Sequence, residues 1–480
     1  MRNKLKTNML FSVAYQILIL LVPFITTPYV SRVLLSEGVG TYSVTTAIAK
    51  YFWLFGLLGM ANYGSREISK ARDNKMQLSA TFWGLFGFQV VTALLAALAY
   101  LVYLVIYGIS QYNIVSICQL PYVLSALFEV SWFFYGTEQF KFMVVRNGLI
   151  KILTMAAVFL FVQTADDVWI YTLINTSSLL LGQICLWPFL LKYVDWVRPS
   201  WKQIVSHFKP ICTLFVSVVA MSIYTQVSKI LIELFSTRAE VGYYESSEKL
   251  MVMANGIIGA IGSVMYPRIS YLLGNGDRNK VHIYLAKSMK YVMIFAIAIT
   301  FGLAGIAKEF SVVFFGDDFR RCGLLILAIS PAILFYSWEN ILRTQYLLPG
   351  NRDAIFVKGT IWAALVNVLL NSWLIPDHGA LGAVAGTVGA QFMAAGYQTL
   401  CVRKELPVGR YIANILPSIL PAIAMFLFCR WVGMCLGETV VSLIVQIFGG
   451  ALCFCILEGI CLYCTKDEML TQFIRKCFRK

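Results

Sequence analysis

The sequence predicts an all-α polytopic membrane protein with about fourteen transmembrane helices, and three observations support this fold class. Of its 480 residues, 59% are hydrophobic and only 13% are charged, whereas soluble domains are about 25% charged. Runs without an ionisable side chain, such as 85–107 and 210–227, approach the ~20 apolar residues that cross ~30 Å of hydrocarbon. The third observation is the distribution of basic residues, which alternates from one loop to the next.

The predicted spans are apolar stretches separated by charged or turn-forming gaps. They cover residues 8–31, 41–62, 78–107, 112–136, 148–164, 167–191, 210–235, 242–266, 288–315, 322–347, 359–375, 378–401, 412–433 and 438–462. The segment 359–375 is short and has polar flanks, so a count of about twelve or thirteen spans stays open.

The basic residues orient these spans. Most of the 39 Lys and Arg residues fall in the termini and in the loops on the same side as the termini. The loops of the opposite side contain only Arg32, Arg238, Arg320, Arg321 and Arg430. Because cytoplasmic loops carry the excess of Lys and Arg, both termini are predicted to be cytoplasmic. Loops close to anionic lipid also account for the net charge of +15, so nucleic-acid binding is not predicted.

Cysteine usage and motifs offer no cofactor and no catalytic group. The 12 cysteines lie mostly inside predicted helices. The Cys461-x-x-Cys464 pair lacks a second pair or a nearby His, so it is interpreted as membrane residues rather than a metal or redox site. The sequence contains no phosphate-binding loop of the GxxxxGK[ST] type, which argues against an ATP-driven pump.

Two segments far apart in the chain share a pattern. Residues 30–43 read VSRVLLSEGVGTYS and residues 227–244 read VSKILIELFSTRAEVGYY. Each places a cation after Val-Ser (Arg32 or Lys229), then an apolar stretch, then Val-Gly-x-Tyr. Both copies begin on an odd-numbered helix, which predicts two six-helix bundles related by a parallel repeat. Such repeats are typical of transporters, with the binding site at the interface between the halves.

The repeat predicts the domain organisation. It consists of an N-terminal six-helix lobe (1–192), a cytoplasmic amphipathic linker (193–209), a C-terminal six-helix lobe (210–401), an extra helix pair (412–464) and a basic cytoplasmic tail (465–480). Outer loops such as TADD (164–167) and PDHG (376–379) are short. No outer domain is therefore predicted that could house chemistry.

Charged residues inside the spans are the candidate site residues, because a charge at the bilayer centre costs about 2.5–3.5 kcal/mol. Lys50 lies near the middle of the second span, has no carboxylate three or four residues away, and is the first candidate. Arg32 and Lys249 follow. Arg32 can also anchor at the outer interface, and Lys249 has Glu245 one helical turn earlier.

Two further cations, Lys229 and Arg343, belong to the candidate set. Lys229 precedes Glu233, and Arg343 follows Glu339, by one helical turn. Each cation is either half of a structural pair or a cavity cation. Cations in both lobes favour an anionic cargo, because Arg and Lys bind phosphate well.

Two carboxylates are candidates for ion coupling. Glu129 has no cation on its own helix, and Glu248 lies next to Lys249. An ionisable residue inside a membrane span is a functional candidate by default.

The stretch NMLFSVAYQILILLVPFITTPYVSRVLLSEGVGTYSVTTAIAKYFWLFGLLGMANYGSREIS (8–69) resembles the Wzx-type oligosaccharide flippases of the multidrug/oligosaccharidyl-lipid/polysaccharide exporter superfamily. Four later segments are similar to the same family. They are SWFFYGTEQFKFMVVRNGLIK (131–151), VGYYESSEKL (241–250), YPRIS (266–270) and LLPGNRDAIFVKGT (347–360). The resemblance spans nearly the whole chain.

The resemblance implies a function as well as a fold. It implies a flippase that moves undecaprenyl-diphosphate-linked oligosaccharide repeat units from the cytoplasmic to the outer leaflet of the bacterial plasma membrane by alternating access. This is a transport step of surface polysaccharide biosynthesis rather than an enzymatic reaction, and polysaccharide assembly proteins are candidate partners. In relatives, cations line the central cavity. Arg32 and Lys50 match that pattern by position, and Lys249 matches it more weakly. Residues 412–462 match by position a helix pair that relatives are thought to use as a groove for the lipid tail.

Three alternatives stay open. A multidrug or cation antiporter of the same superfamily would need a net acidic cavity, and Glu129 keeps that alternative open. A lipid II flippase would differ only in cargo. A membrane glycosyltransferase or polymerase generally requires a sizeable extramembrane domain or catalytic carboxylates in loops. Neither the sugar composition of the cargo nor the energy source can be read from the residues.

Overall fold

The computed structural model describes residues 2–107, 113–465 and 467, and every regular element within them is helical. The helices are α1 (Arg2–Leu57), α2 (Met60–Ala71), α3 (Lys75–Ile106), α4 (Asn113–Ile117), α5 (Leu120–Phe128), α6 (Ser131–Gly136), α7 (Phe140–Phe161), α8 (Val168–Ile184), α9 (Trp187–Leu190), α10 (Trp201–Ser206), α11 (Phe208–Phe235), α12 (Arg238–Gly274), α13 (Arg278–Phe310), α14 (Cys322–Ile329), α15 (Pro331–Leu342), α16 (Asp353–His378), α17 (Ala380–Val402), α18 (Val408–Ile415), α19 (Ile419–Leu436) and α20 (Val440–Cys464). Single turns of 3-10 or π geometry lie at Ala165–Asp167, Ser311–Phe315, Asp317–Phe319, Arg343–Leu347 and Leu416–Ser418.

The predicted fold class is confirmed. In the described part of the chain, 11 helical stretches are long and apolar enough to cross a membrane. The first of them, Leu21–Ala71, covers two predicted spans. Two more predicted spans coincide with α11 and α17, which are 28 and 23 residues long. The short segment 359–375 lies inside the 26-residue α16. These helices together account for the predicted count of about fourteen.

The chain folds into two compact units, Met1–Gly242 and Tyr243–Lys480. The predicted lobes at 1–192 and 210–401, with their linker, stay a prediction. The predicted basic tail lies outside the described residues except for positions 465 and 467. In the first unit, a buried aromatic core surrounds Phe82, which stacks on Trp132 with ring centroids 5.5 Å apart and meets Phe133 edge to face.

The first two predicted spans form one continuous element that is broken at a single residue. Leu35 within α1 has φ 57° and ψ −179°. A positive φ is unfavourable for a side chain with a Cβ, so the backbone here is strained. The predicted outer turn between residues 31 and 41 is therefore a one-residue break, and a second helical segment begins directly after it.

The glycines of the two Val-Gly-x-Tyr motifs, Gly40 and Gly242, lie at one close helix contact inside the first unit. A Cβ at Gly40 would lie 1.9 Å from the carbonyl oxygen of Arg238, and a Cβ at Gly242 would lie 2.0 Å from that of Ser36. Neither position accepts a side chain without backbone movement. The glycines that define the repeat are thus required where α1 and the start of α12 approach each other, as small residues are in other membrane helix contacts.

Candidate functional site

Lys50, the first predicted site residue, lies in the second segment of α1 and is half-buried. The preceding Ala49 is fully buried. The hydroxyl of the following Tyr51 donates a hydrogen bond to the Ser222 carbonyl oxygen of α11 at 3.3 Å. These neighbours fix the backbone of Lys50 against protein, while its side chain keeps part of its accessible surface.

The other predicted cations of the first unit differ in burial. Arg32 is exposed, and its guanidinium donates to the Pro28 carbonyl oxygen one turn earlier at 3.3 Å. Lys229 on α11 is only 8% exposed. Glu233, one turn after Lys229, lies 3.5 Å from Nε of Arg238. Arg238, which sequence reasoning assigned to an outer loop, therefore contacts a charge within this set.

In the second unit, the predicted charges of α12 lie close together. Lys249 Nζ is 3.6 Å from Glu245 Oε1, as their spacing of one turn predicts. Glu248 is 9% exposed and accepts a hydrogen bond from the Tyr244 hydroxyl at 3.4 Å. That hydroxyl is also 2.7 Å from Thr387 Oγ1 on α17. The Glu248 carboxylate therefore lies inside its helical bundle.

Glu129, the first candidate for ion coupling, lies at a break in the predicted fourth span. α5 ends at Phe128 and α6 begins at Ser131. Glu129 Oε1 accepts the backbone N–H of Ser131 at 2.8 Å, and Oε2 accepts Nε2 of Gln183 on α8. The carboxylate thus satisfies a backbone donor at the start of α6, as capping side chains do.

Gln89 on α3 satisfies other backbone groups that the break releases. Its side chain is fully buried. Nε2 donates to the carbonyl oxygens of Ala126 and Glu129, each at 2.8 Å, and Oε1 accepts Nε1 of Trp132 at 2.9 Å. Backbone groups freed inside a membrane need such partners, because lipid supplies none.

Arg146 on α7 brings a cation to the same place. Its Nη1 and Nη2 atoms lie 3.5 Å from Gln183 Oε1 and from Ser131 Oγ. The fifth span was predicted to begin at residue 148, but the apolar helical stretch begins at Phe142 and includes Arg146. We call Glu129, Ser131, Arg146 and Gln183 the Glu129 cluster.

A second cluster surrounds Glu339 in the second unit. Glu339 Oε1 accepts Nε of Arg343 at 3.0 Å and Nε2 of Gln398, on α17, at 2.9 Å. Nη2 of Arg343 donates to Asn340 Oδ1 at 3.0 Å. The guanidinium carbon lies 5.3 Å from the ring centroid of Phe356, within the range of a cation–π contact. We call Glu339, Asn340, Arg343 and Gln398 the Glu339 cluster.

The Glu339 cluster contains buried polar atoms that the described residues do not satisfy. Asn340 is 2% exposed and Gln398 is fully buried. Asn340 Nδ2 and Gln398 Oε1 have no hydrogen-bond partner among the described residues. Gln345, fully buried in the π turn that follows α15, has no such partner for either amide atom. A buried donor or acceptor left in this way costs about 1–3 kcal/mol.

Sequence reasoning found charged members of both clusters but missed the glutamines and the asparagine that hold them. One signal was available. Gln89 interrupts the apolar stretch GLFGFQVVTALL (84–95), where an amide needs a partner.

An apolar groove of about 490 Å³ lies between α13, α19 and α20. Its walls include Ile294, Ile299, Leu303, Met425, Ile447 and Phe454. Gln446 is a polar member of the lining, and its Nε2 is bound to the Cys429 carbonyl oxygen at 2.9 Å. The predicted extra helix pair therefore contributes half of the lining residues of this groove, and α13 contributes the other half.

Metal chemistry has no evident location in the described residues. They contain no group of three or more His, Cys, Asp or Glu side chains that could hold a metal ion. Cys461 is half-buried and Cys464 is exposed at the end of α20, and both are free thiols.

The sequence matches a known family over more than half of its length. Residues 5–273 match the family described as polysaccharide biosynthesis protein. The chain belongs to this family. A protein of Escherichia coli K12 named as an O-antigen transporter is 23% identical over 410 residues, which cover 84% of this chain and 97% of that protein. A protein of Shigella dysenteriae with the same name is 27% identical over 384 residues, which cover 76% and 91%.

A solved structure shares the fold. The lipid II flippase MurJ, in an inward closed conformation, matches with a TM-score of 0.77 and covers 96% of this chain and 100% of its own. The two sequences are 16% identical, so the likeness concerns the fold alone. Together with the family match, these relatives confirm the resemblance to Wzx-type flippases that the sequence motifs indicated.

Proposed function

We propose that this protein is a flippase that moves undecaprenyl-diphosphate-linked oligosaccharide repeat units from the cytoplasmic to the outer leaflet of the bacterial plasma membrane. The movement serves surface polysaccharide biosynthesis. The observation that carries the proposal is family membership, together with relatives named as O-antigen transporters that cover 84% and 76% of the chain. The all-helical membrane fold supports the same function.

The headgroup path needs cations, because apolar spans cannot solvate a diphosphate. The proposed cavity cations are Lys50, Arg32, Lys249, Lys229 and Arg343. Lys50 leads this set because it is half-buried and lies near the middle of a span. Transport proceeds by rocking of two helical bundles around the bound headgroup, without covalent chemistry.

The lipid tail needs an apolar surface that stays continuous with the bilayer. The groove between α13, α19 and α20 has a volume of about 490 Å³ and an almost wholly apolar lining. The groove is therefore the proposed tail site, and the cations are the proposed headgroup sites.

Orientation and energy supply complete the proposal. Both termini lie in the cytoplasm, where the excess of Lys and Arg belongs. Glu129 and Glu248 are the proposed ion-coupling residues, because each carboxylate lies within a span and accepts hydrogen bonds from protein. Polysaccharide assembly proteins are the proposed partners that deliver or polymerise the repeat units.

The decisive experiment combines a gene deletion with a charge-removal variant. In the deletion host, lipid-linked oligosaccharide is expected to accumulate in the cytoplasmic leaflet and to disappear from the outer leaflet, as measured by mass spectrometry after leaflet-selective labelling. The wild-type gene restores export. Lys50→Ala is expected to be expressed normally but to restore no export, because the span then offers no cation at that depth. Lys280→Ala is the matched control, since Lys280 is exposed and pairs with Asp277 before the predicted span 288–315 begins.

The possible results separate the proposals. An unchanged distribution of glycolipid in the deletion host would rule out the flippase. Wild-type export by Lys50→Ala would remove Lys50 from the headgroup path while leaving the flippase intact. A polymerase would instead give shortened polysaccharide with a normal leaflet distribution. An antiporter would change drug sensitivity alone.

A further inference from the structure

We propose that Arg343 is a preorganised phosphate-binding residue, and that Glu339, Asn340 and Gln398 are its positioning residues. The inference rests on the proposed function and deepens it. It names the atoms that engage the diphosphate of the lipid-linked substrate within the second unit. A Glu and an Arg one helical turn apart also form ordinary structural pairs. The side chains of Asn340 and Gln398 around this pair distinguish a binding residue from such a pair.

The described residues engage only some of the N–H donors of Arg343. A guanidinium has five N–H donors in a planar fork. The described residues engage Nε through Glu339 and Nη2 through Asn340, each at 3.0 Å, and they provide no acceptor for Nη1. The Arg343 side chain is 24% exposed, whereas that of Glu339 is 8% exposed. The carboxylate is therefore the buried partner, and the guanidinium is the part that a ligand can reach.

The amide of Asn340 is held in one orientation by the guanidinium of Arg343. Its Oδ1 faces the guanidinium, which directs Nδ2 toward α12, where a Cβ at Gly262 would lie 3.2 Å from it. A flipped amide would place a donor against the donors of Arg343. The orientation of Arg343 is thus held at the cost of an unsatisfied buried donor, about 1–3 kcal/mol.

Gln398 repeats this pattern on the other side of the carboxylate. Its Nε2 is bound to Glu339 at 2.9 Å, and its Oε1 has no partner in the part of the chain that the structure describes. Two buried amides therefore each leave one atom unsatisfied while they hold a single Glu–Arg pair. Such costs are expected where a functional group must be held in one geometry.

The guanidinium of Arg343 suits an anionic ligand. The guanidinium carbon of Arg343 lies over the Phe356 ring, 5.3 Å from its centroid, and the N–H donors that remain point outward in the plane of the guanidinium. In-plane recognition by Arg favours carboxylate or phosphate, which accept two parallel hydrogen bonds. A metal cation is disfavoured beside the positive charge. Phosphate is the group that the proposed cargo carries, and bulk anionic lipid offers the same chemistry, so the test must distinguish these two sources.

The test measures binding to the full-length protein in phosphatidylcholine nanodiscs. The probes are undecaprenyl diphosphate, undecaprenol and phosphatidylglycerol. Arg343→Lys is expected to weaken undecaprenyl diphosphate binding about tenfold, because Lys keeps the charge but not the fork. Asn340→Leu is expected to weaken it about threefold, since the guanidinium loses its second anchor. Undecaprenol binding is expected to stay unchanged in both variants, which a merely structural defect would not allow.

Arg352→Lys is the matched control. Arg352 pairs with Glu405 at 2.6 Å in the same unit, but it lies between two spans and is 40% exposed. Its substitution is expected to leave all three affinities unchanged. Wild-type diphosphate affinity in both Arg343→Lys and Asn340→Leu would overturn the inference and leave the flippase proposal standing. Equal competition by phosphatidylglycerol would overturn the assignment to substrate. If the wild-type protein bound undecaprenol as tightly as undecaprenyl diphosphate, the proposed function itself would fail.

Discussion

The Glu129 cluster of the first unit and the Glu339 cluster of the second share one hydrogen bond but satisfy their remaining polar atoms differently. In each, a glutamate on the fourth predicted span of its lobe accepts the side-chain Nε2 of a glutamine on the sixth. These pairs are Glu129 with Gln183 and Glu339 with Gln398. In each, an arginine lies beside the pair. The two clusters therefore contain the same types of side chain at corresponding positions of the two predicted lobes.

The difference follows from the backbone. At Glu129 the helix is broken between α5 and α6, and the freed groups use the carboxylate and the amide of Gln89. At Glu339 the helix continues to the end of α15, and the carboxylate accepts hydrogen bonds from the side chains of Arg343 and Gln398. The amides there hold an arginine instead and leave atoms unsatisfied. One Glu–Gln pair thus closes a helix break, and the other positions a cation.

The largest expected effect is the loss of Gln89, which supports the break. Gln89→Leu removes the donor to the Ala126 and Glu129 carbonyl oxygens and one acceptor of Trp132 Nε1, which keeps its bond to the Glu129 carbonyl oxygen. We expect it to destabilise the protein by about 3 kcal/mol, measured as a fall in denaturation midpoint in detergent. Gln77→Leu is the control, because that side chain is exposed near the start of the same helix. Equal stability of the two variants would show that the break does not depend on Gln89.

A smaller effect separates the two paired glutamines. Gln183→Leu removes the donor to Glu129 and the acceptor that Arg146 approaches, so we expect a loss of about 2 kcal/mol. Gln398→Leu removes one donor to Glu339 and an oxygen without a partner among the described residues. We expect its loss to stay below about 1 kcal/mol. The same denaturation measurement checks both, and equal losses would contradict the difference between the clusters.

The sequence predicted the charged members of these clusters because a charge inside an apolar stretch is visible in one dimension. It could not predict which distant amide meets each charge. Gln89 and Gln183 both donate hydrogen bonds to Glu129, but they lie 40 and 54 residues away from it along the chain. Nor could it predict the break at Leu35, because no Gly or Pro occupies that position. The fold class needed only hydropathy and charge, and these are local properties.

The smallest expected effect has the opposite sign and concerns Gln345. This amide is fully buried, and neither of its polar atoms has a partner within residues 2–107, 113–465 and 467. Leu has a similar volume and needs no hydrogen bond. Gln345→Leu should therefore leave stability unchanged or raise it by up to about 1 kcal/mol, measured beside Gln89→Leu under the same conditions. A loss as large as that of Gln89→Leu would mean that Gln345 is satisfied in the folded protein. A neutral result combined with slower glycolipid export would place the amide on the headgroup path, because only a ligand-facing amide loses function without losing stability.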